Sequence, residues 1–206
     1  MVVRIVDYGM GNLHSVASAF RHLGCEASVT SSPDDLKGAE PIVLPGVGSF
    51  RRAMTQLNRD GLTSALRAAV LDDGASILGI CLGMQLLGEH GVEDGGSAGL
   101  GFVRGTVTRM RTNLEPDAKI PHIGFTTLEG CSGSLFEGLP SEFDAYFNHG
   151  FCFEQIGDAR VTSRSRHGQD FVASFETDMR VFGTQFHPEN SQAFGLRILE
   201  NFLKVA

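Results

Sequence analysis

Ser76-Ile77-Leu78-Gly79-Ile80-Cys81-Leu82-Gly83-Met84-Gln85-Leu86-Leu87 runs from an apolar, strand-like segment, through a cysteine flanked by glycines, into a helix-like segment. Gly79 and Gly83 keep bulk away from a sharp turn. That turn projects the Cys81 side chain outward in a conformation that only a packed scaffold would hold. A strand–Cys–helix junction of this kind is the thiol counterpart of a nucleophile elbow. The helix behind it directs free backbone N–H groups and the positive end of its dipole at the sulfur, the setting that activates a thiol. A cysteine met alone is more often a small buried apolar residue. The paired glycines, with a second motif near the C-terminus, favour the reactive reading here.

Outward from the elbow, the chain upstream alternates strand-like and helix-like segments. Residues 2–6 are a β-branched run suited to a buried parallel strand. Leu13, Val16, Ala17, Phe20 and Leu23 then recur at helical spacing, and Gly24 closes that helix. Residues 27–30 and 42–44 read as further strands, 33–37 as a short helix, and 57–70 as helical segments broken near Gly61. Downstream, residues 95–101 read as a loop. Strands follow at 105–110, 123–128, 145–147, 161–164, 171–175 and 181–186. Phe194, Ile198, Leu199, Phe202 and Leu203 mark a last, amphipathic helix. This rhythm predicts an α/β fold, a doubly wound and mostly parallel sheet with appended antiparallel strands, in a single domain over residues 1–206.

Bulk composition narrows the classes of function. The 206 residues are 42% hydrophobic and 20% charged, with a net charge of −7. That acidic balance argues against broad binding to nucleic acid or anionic membranes, both of which need basic surface. No apolar stretch approaches the ~20 residues that span a bilayer. The N-terminal run meets Asp7 after six residues and reads as a strand rather than a secretory signal. Cys25, Cys81, Cys131 and Cys152 are irregularly spaced without a C-x-x-C pair. Neither a metal site nor a disulfide framework is expected, and a reducing cytoplasm is inferred.

Two glycine-bearing turns fail as nucleotide fingerprints. In Asp7-Tyr8-Gly9-Met10-Gly11-Asn12 the third glycine of G-x-G-x-x-G is replaced by His14, and Gly46-Val47-Gly48 fails likewise at Arg51. Asn12 is better read as a helix N-cap. Leu44-Pro45-Gly46-Val47-Gly48-Ser49-Phe50 is a shaped loop at the carboxyl end of a strand, where open α/β sheets place ligands. Its backbone N–H groups could serve an oxyanion hole. Among seven histidines, His187 is singled out by context. It follows the strand at 181–186 and precedes Pro188, which holds it extended. Residues two apart in an extended segment share a side, so Glu189 can orient one ring nitrogen while the other faces Cys81. That is the base-plus-orienter logic of a catalytic triad.

These motifs, in this order, resemble the triad-type (class I) glutamine amidotransferases, and most closely the glutaminase subunits of imidazole glycerol phosphate synthases. Asp7-Tyr8-Gly9-Met10-Gly11-Asn12-Leu13, Leu44-Pro45-Gly46-Val47-Gly48, the elbow, and Gln185-Phe186-His187-Pro188-Glu189 carry the resemblance. It implies Cys81 as nucleophile, His187 as general base and acid, Glu189 as orienter, and Leu82, Val47 and Gly48 around the oxyanion. It also implies glutamine binding by Gln85, Glu93, His149, Gly150 and Phe151. No cofactor or metal is implied. The implied partner is a TIM-barrel cyclase that receives ammonia from L-glutamine in a heterodimer.

Three stretches depart from the family pattern. Pro121-His122-Ile123-Gly124-Phe125-Thr126 stands where Pro-His-Met-Gly-Trp-Asn is usual, and Phe147-Asn148-His149-Gly150-Phe151 where Phe-Val-His-Ser-Tyr is usual. Asn190 replaces a lysine. In the family the tryptophan and that lysine lie towards the synthase. Two other readings therefore stay open: a paralogue feeding a different synthase, such as a surface-sugar enzyme, and a non-enzymatic protein on the same fold.

Overall fold

The computed structural model describes residues 2–38, 41–111 and 118–206. Its first half comprises β1 (Val2–Val6), α1 (Leu13–His22), β2 (Glu26–Thr30), β3 (Ile42–Gly46), α2 (Phe50–Arg59), α3 (Leu62–Leu71), β4 (Ile77–Cys81) and α4 (Leu82–Leu86). Then come β5 (Gly88–Gly91), β6 (Ser97–Ala98), β7 (Val103–Arg109), β8 (His122–Leu128), β9 (Phe143–His149) and β10 (Phe151–Phe153). The chain closes with β11 (Arg160–Arg166), β12 (Asp170–Glu176), β13 (Val181–Thr184) and α5 (Gln192–Val205).

The central sheet has the order β11-β12-β13-β4-β3-β1-β2. β2, β1, β3, β4 and β13 run parallel, while β12 and β11 extend one edge antiparallel. From β1 the chain passes to β2 on one side and then returns to β3 on the other, which places helices on both faces. Val3, Ile5, Val43, Leu78 and Ile80 face α1 and α5 through Val16, Phe20, Ile198, Leu199 and Phe202. Val6, Leu44 and Ile77 face α2 and α3 through Phe50, Leu57, Leu62 and Leu66. Burial on both faces is why these strands read as unbroken apolar runs. Asn12 caps α1 by accepting from the Ser15 N–H, and Gly61 separates α2 from α3 with φ 73°.

Local sequence and structure part company in the second half. Gly88–Gly91 and Phe151–Phe153 form β5 and β10, and the expected loop at 95–101 contains β6. With β7 they make a small sheet of order β10-β7-β5-β6. These segments are two to four residues long, too short for side-chain alternation to show. Pairing with β7 orders them. β8 and β9 form a separate antiparallel hairpin. Among the described residues no helix is long and apolar enough to cross a membrane.

Candidate active site

β4 ends at Cys81, whose backbone adopts φ 54° and ψ −110°. An L side chain holds such a conformation at a cost of about 1–3 kcal/mol. It is imposed by the start of α4 at the very next residue. α4 lies so close to the sheet that a Cβ on Gly79 would stand 2.7 Å from backbone atoms of Gly83 and Met84, and one on Gly83 would overlap the Leu44 carbonyl. Close approach therefore requires both glycines. α4 has only five residues, so the dipole directed at Cys81 is that of little more than one turn.

Strand register brings the other groups to the elbow. Gly46 lies opposite Cys81 across β3 and β4, and Thr184 opposite Ile80 across β4 and β13. The segments leaving β3 and β13 therefore flank Cys81. The Gln185 side-chain amide donates to the Cys81 sulfur at 3.7 Å, and that sulfur lies 3.6 Å from the Asn148 carbonyl oxygen. His187 is extended, at φ −98° and ψ 97°. Its N–H donates to the Tyr146 carbonyl at 2.8 Å, and its own carbonyl accepts from Ser191 Oγ at 2.7 Å. His187 Nδ1 lies 2.8 Å from Glu189 Oε1. Burial alone would strip a proton from this imidazole. The charge of Cys81, joined by the charge and hydrogen bond of Glu189, outweighs burial and pushes His187 up to about 11, while His187 Nε2 is buried without a hydrogen-bond partner.

A cavity of about 500 Å³ opens at Cys81, lined also by Val47, Gly48, Leu82, Gln85, Glu93, His149, Gly150 and Phe151. His187 and Glu189 do not line it. Of the residues that the sequence singled out, the cavity thus gathers all but His187 and Glu189, and Arg109, Ile120, Pro121 and Asn148 join its wall. Glu93 Oε2 accepts the Phe50 N–H at the start of α2 at 2.8 Å, and burial raises the Glu93 pKa. The Gln85 amide donates to the Phe151 carbonyl at 2.8 Å and to Gln185 Oε1 at 3.0 Å. Both its hydrogens are spent, so Gln85 offers a ligand only its carbonyl oxygen. The Val47 N–H is bonded to the Met10 carbonyl at 3.4 Å. In this conformation it is not available to an oxyanion, while Leu82 N–H, at the first position of α4, has no acceptor within the helix.

Gln185 went unassigned in the sequence although its signal was present. It stands just past the end of β13, two residues before His187, whereas Glu189 lies in the 3-10 turn Pro188–Asn190 that follows. Arg109 carried no local signal. β7 pairs with β10, which sets Arg109 against Phe151.

The chain is similar to known proteins over nearly its whole length. The family model for glutamine amidotransferase class-I matches residues 4–206. The chain is 43% identical over 205 residues to imidazole glycerol phosphate synthase subunit HisH 1 of Campylobacter jejuni strain 81-176, covering 99% of this chain and 100% of that protein. It is 40% identical to the HisH subunit of Moorella thermoacetica, covering 97% of this chain and 93% of that protein. Among solved structures, a chain of PurLQS from Thermotoga maritima superposes with a TM-score of 0.76 at 21% identity. That match covers 99% of this chain and 98% of the other. At that identity the likeness shows the fold alone.

Proposed function

Since the chain belongs to the class I glutamine amidotransferases, we propose that it is the glutaminase subunit of an imidazole glycerol phosphate synthase. In this reading it hydrolyses L-glutamine to glutamate and ammonia in histidine biosynthesis. The ammonia passes to a TIM-barrel cyclase subunit that makes imidazole glycerol phosphate and AICAR. One amidotransferase domain, a heterodimer and a cytoplasmic location belong to the same reading. So do the four free cysteines, which suit a reducing compartment.

The observation that carries it is the convergence of three strand ends on one sulfur, with Gln185 at 3.7 Å and an imidazole braced by Glu189 at 2.8 Å. Cys81 Sγ attacks the carboxamide carbon of glutamine, and the carbonyl π electrons move to oxygen. Leu82 N–H receives that oxyanion. Rotation of the Gly46–Val47 peptide would add Val47 N–H, and a donor of this kind is worth roughly 3–4 kcal/mol in acyl transfer. His187 hands its proton to the departing nitrogen as the C–N bond breaks, which leaves a γ-glutamyl thioester and ammonia. Water, deprotonated by His187, then cleaves the C–S bond to release glutamate. Glutamine is a zwitterion at its α-carbon, and the cavity wall carries one carboxylate, Glu93, and one guanidinium, Arg109. These complement the ammonium and carboxylate, with Gln85 Oε1 as a further acceptor.

The test is reconstitution with the cyclase subunit. Glutamate and imidazole glycerol phosphate should form together, and Cys81→Ala should stop both while leaving the cyclase active on added ammonium. Activation by a different synthase and not by the cyclase would assign the chain to another ammonia acceptor, as the changes at Phe125, Thr126 and Asn190 would then indicate.

A further inference from the structure

A carbonyl oxygen only accepts hydrogen bonds, so the carbonyl of Phe151 fixes hydrogen placement around it. Besides Gln85 it receives His149 Nδ1 at 2.9 Å. His149 therefore carries its proton on Nδ1, and its Nε2 is an acceptor. The group facing that Nε2 is His122 Nδ1 at 3.2 Å, which must donate. His122 Nε2 is then the acceptor, and Thr126 Oγ1 donates to it at 2.7 Å. Burial holds His149 down to about 3 and His122 down to about 4, so neither takes a second proton near neutrality. Every hydrogen in the chain from Thr126 to Phe151 thus has one permitted position.

The backbone is shaped to allow this. Four residues of straight strand would separate the Cα atoms of His122 and Thr126 by about 13 Å, beyond the reach of their side chains. The 2.7 Å contact therefore requires a shorter path between them, and Gly124, midway, has φ 133° while β8 stays paired with β9 throughout. The His122 ring is also clamped between Phe147, at 4.9 Å and 21°, and His167, at 4.0 Å and 11°. His167 in turn donates to the Lys119 carbonyl at 2.8 Å, next to the Ile120 and Pro121 that line the cavity. On the opposite side of β8, Ile123 and Phe125 are 61% and 49% exposed.

We propose that Thr126, His122 and His149 are positioning residues, a directional relay that holds the Phe151 carbonyl and, through it, sets Gln85 for glutamine. The proposal rests on the glutaminase reading. It gives β8 two roles, an exposed apolar side and a polar side wired to the substrate cavity.

Thr126→Val keeps the side-chain shape and removes the donor, whereas Thr126→Ser keeps the donor. With the synthase partner bound, Thr126→Val should raise KM for glutamine about fivefold and hold kcat within about twofold, as expected for one weakened hydrogen bond to the ground state. Thr126→Ser should restore KM. Nitrogen NMR on the wild-type chain should find both His122 and His149 protonated at Nδ1 and bare at Nε2. This measurement decides the matter if Thr126→Val fails to fold. An unchanged KM in Thr126→Val, or a proton on either Nε2, overturns the relay while leaving wild-type glutaminase activity as it was. A wild-type chain that neither hydrolyses glutamine nor is alkylated at Cys81 by 6-diazo-5-oxo-norleucine overturns the glutaminase reading, and the relay's role in glutamine binding with it.

Discussion

In the proposed mechanism Cys81, with its strained backbone, is the thiol nucleophile, and each neighbour has one role. Gln185 donates to its sulfur and Glu189 holds His187 Nδ1 at 2.8 Å, and in that mechanism His187 supplies the proton. The roles are unequal, and so are the expected losses. His187→Asn removes proton transfer altogether and should lower kcat by several decades. Glu189→Gln keeps a polar group beside Nδ1 but withdraws its charge, so single-turnover glutamate release should fall by less. Equal losses in the two variants would place Glu189 in the chemistry itself. Gly83→Ala tests the scaffold instead of the reaction. Its new Cβ would overlap the Leu44 carbonyl, and α4 has no room to retreat without unseating Cys81. Denaturant melts should show a loss of about 3 kcal/mol or more, the mark of overpacking against backbone.

At the level of elements, the loop after β3 holds the main consequence for rate. With Val47 N–H bonded to Met10, an oxyanion is left with Leu82 N–H until the Gly46–Val47 peptide turns. The isolated chain should therefore hydrolyse glutamine slowly, and the cyclase with its ligand bound should raise kcat with little change in KM. Full speed in isolation would count against a resting state set by this hydrogen bond. Gly48 has φ 102°, and a Cβ there would stand 2.9 Å from Met10 Cε. It is the residue whose freedom makes such a turn inexpensive. Much of this was legible in the sequence, because buried parallel strands, the Gly-Ile-Cys-Leu-Gly elbow and His-Pro-Glu are short-range patterns. What escaped was settled by tertiary pairing. β5, β6 and β10 are ordered by β7. Gln185 gains meaning only when β13 lies beside β4, and His122 meets His149 only once β8 and β9 close into a hairpin.

Across the whole molecule, buried histidines of opposite tendency shape stability against pH. His149 and His122 are held at about 3 and about 4, chiefly by burial, whereas an unfolded histidine titrates near ~6.5. Between those limits the unfolded chain binds the extra protons. The stability these two confer is complete above ~6.5 and drains away as pH falls towards 4. Each contributes a slope approaching ~1.4 kcal/mol per pH unit. His187 has the reverse sign. Raised to about 11 by Cys81 and Glu189 against the effect of burial, it stabilises fully below ~6.5, and its contribution declines as pH climbs towards 11. Urea midpoints should therefore peak near neutral pH and drop on the acid side. His149→Asn keeps a donor for the Phe151 carbonyl but cannot take up a proton. Its acid limb should flatten by about one proton between pH 6.5 and 4, even if its midpoint at pH 7.5 is lower. An acid limb as steep as that of the wild type would mean that His149 already carries its second proton in the folded state. The hydrogen-bond directions drawn through it would then be wrong.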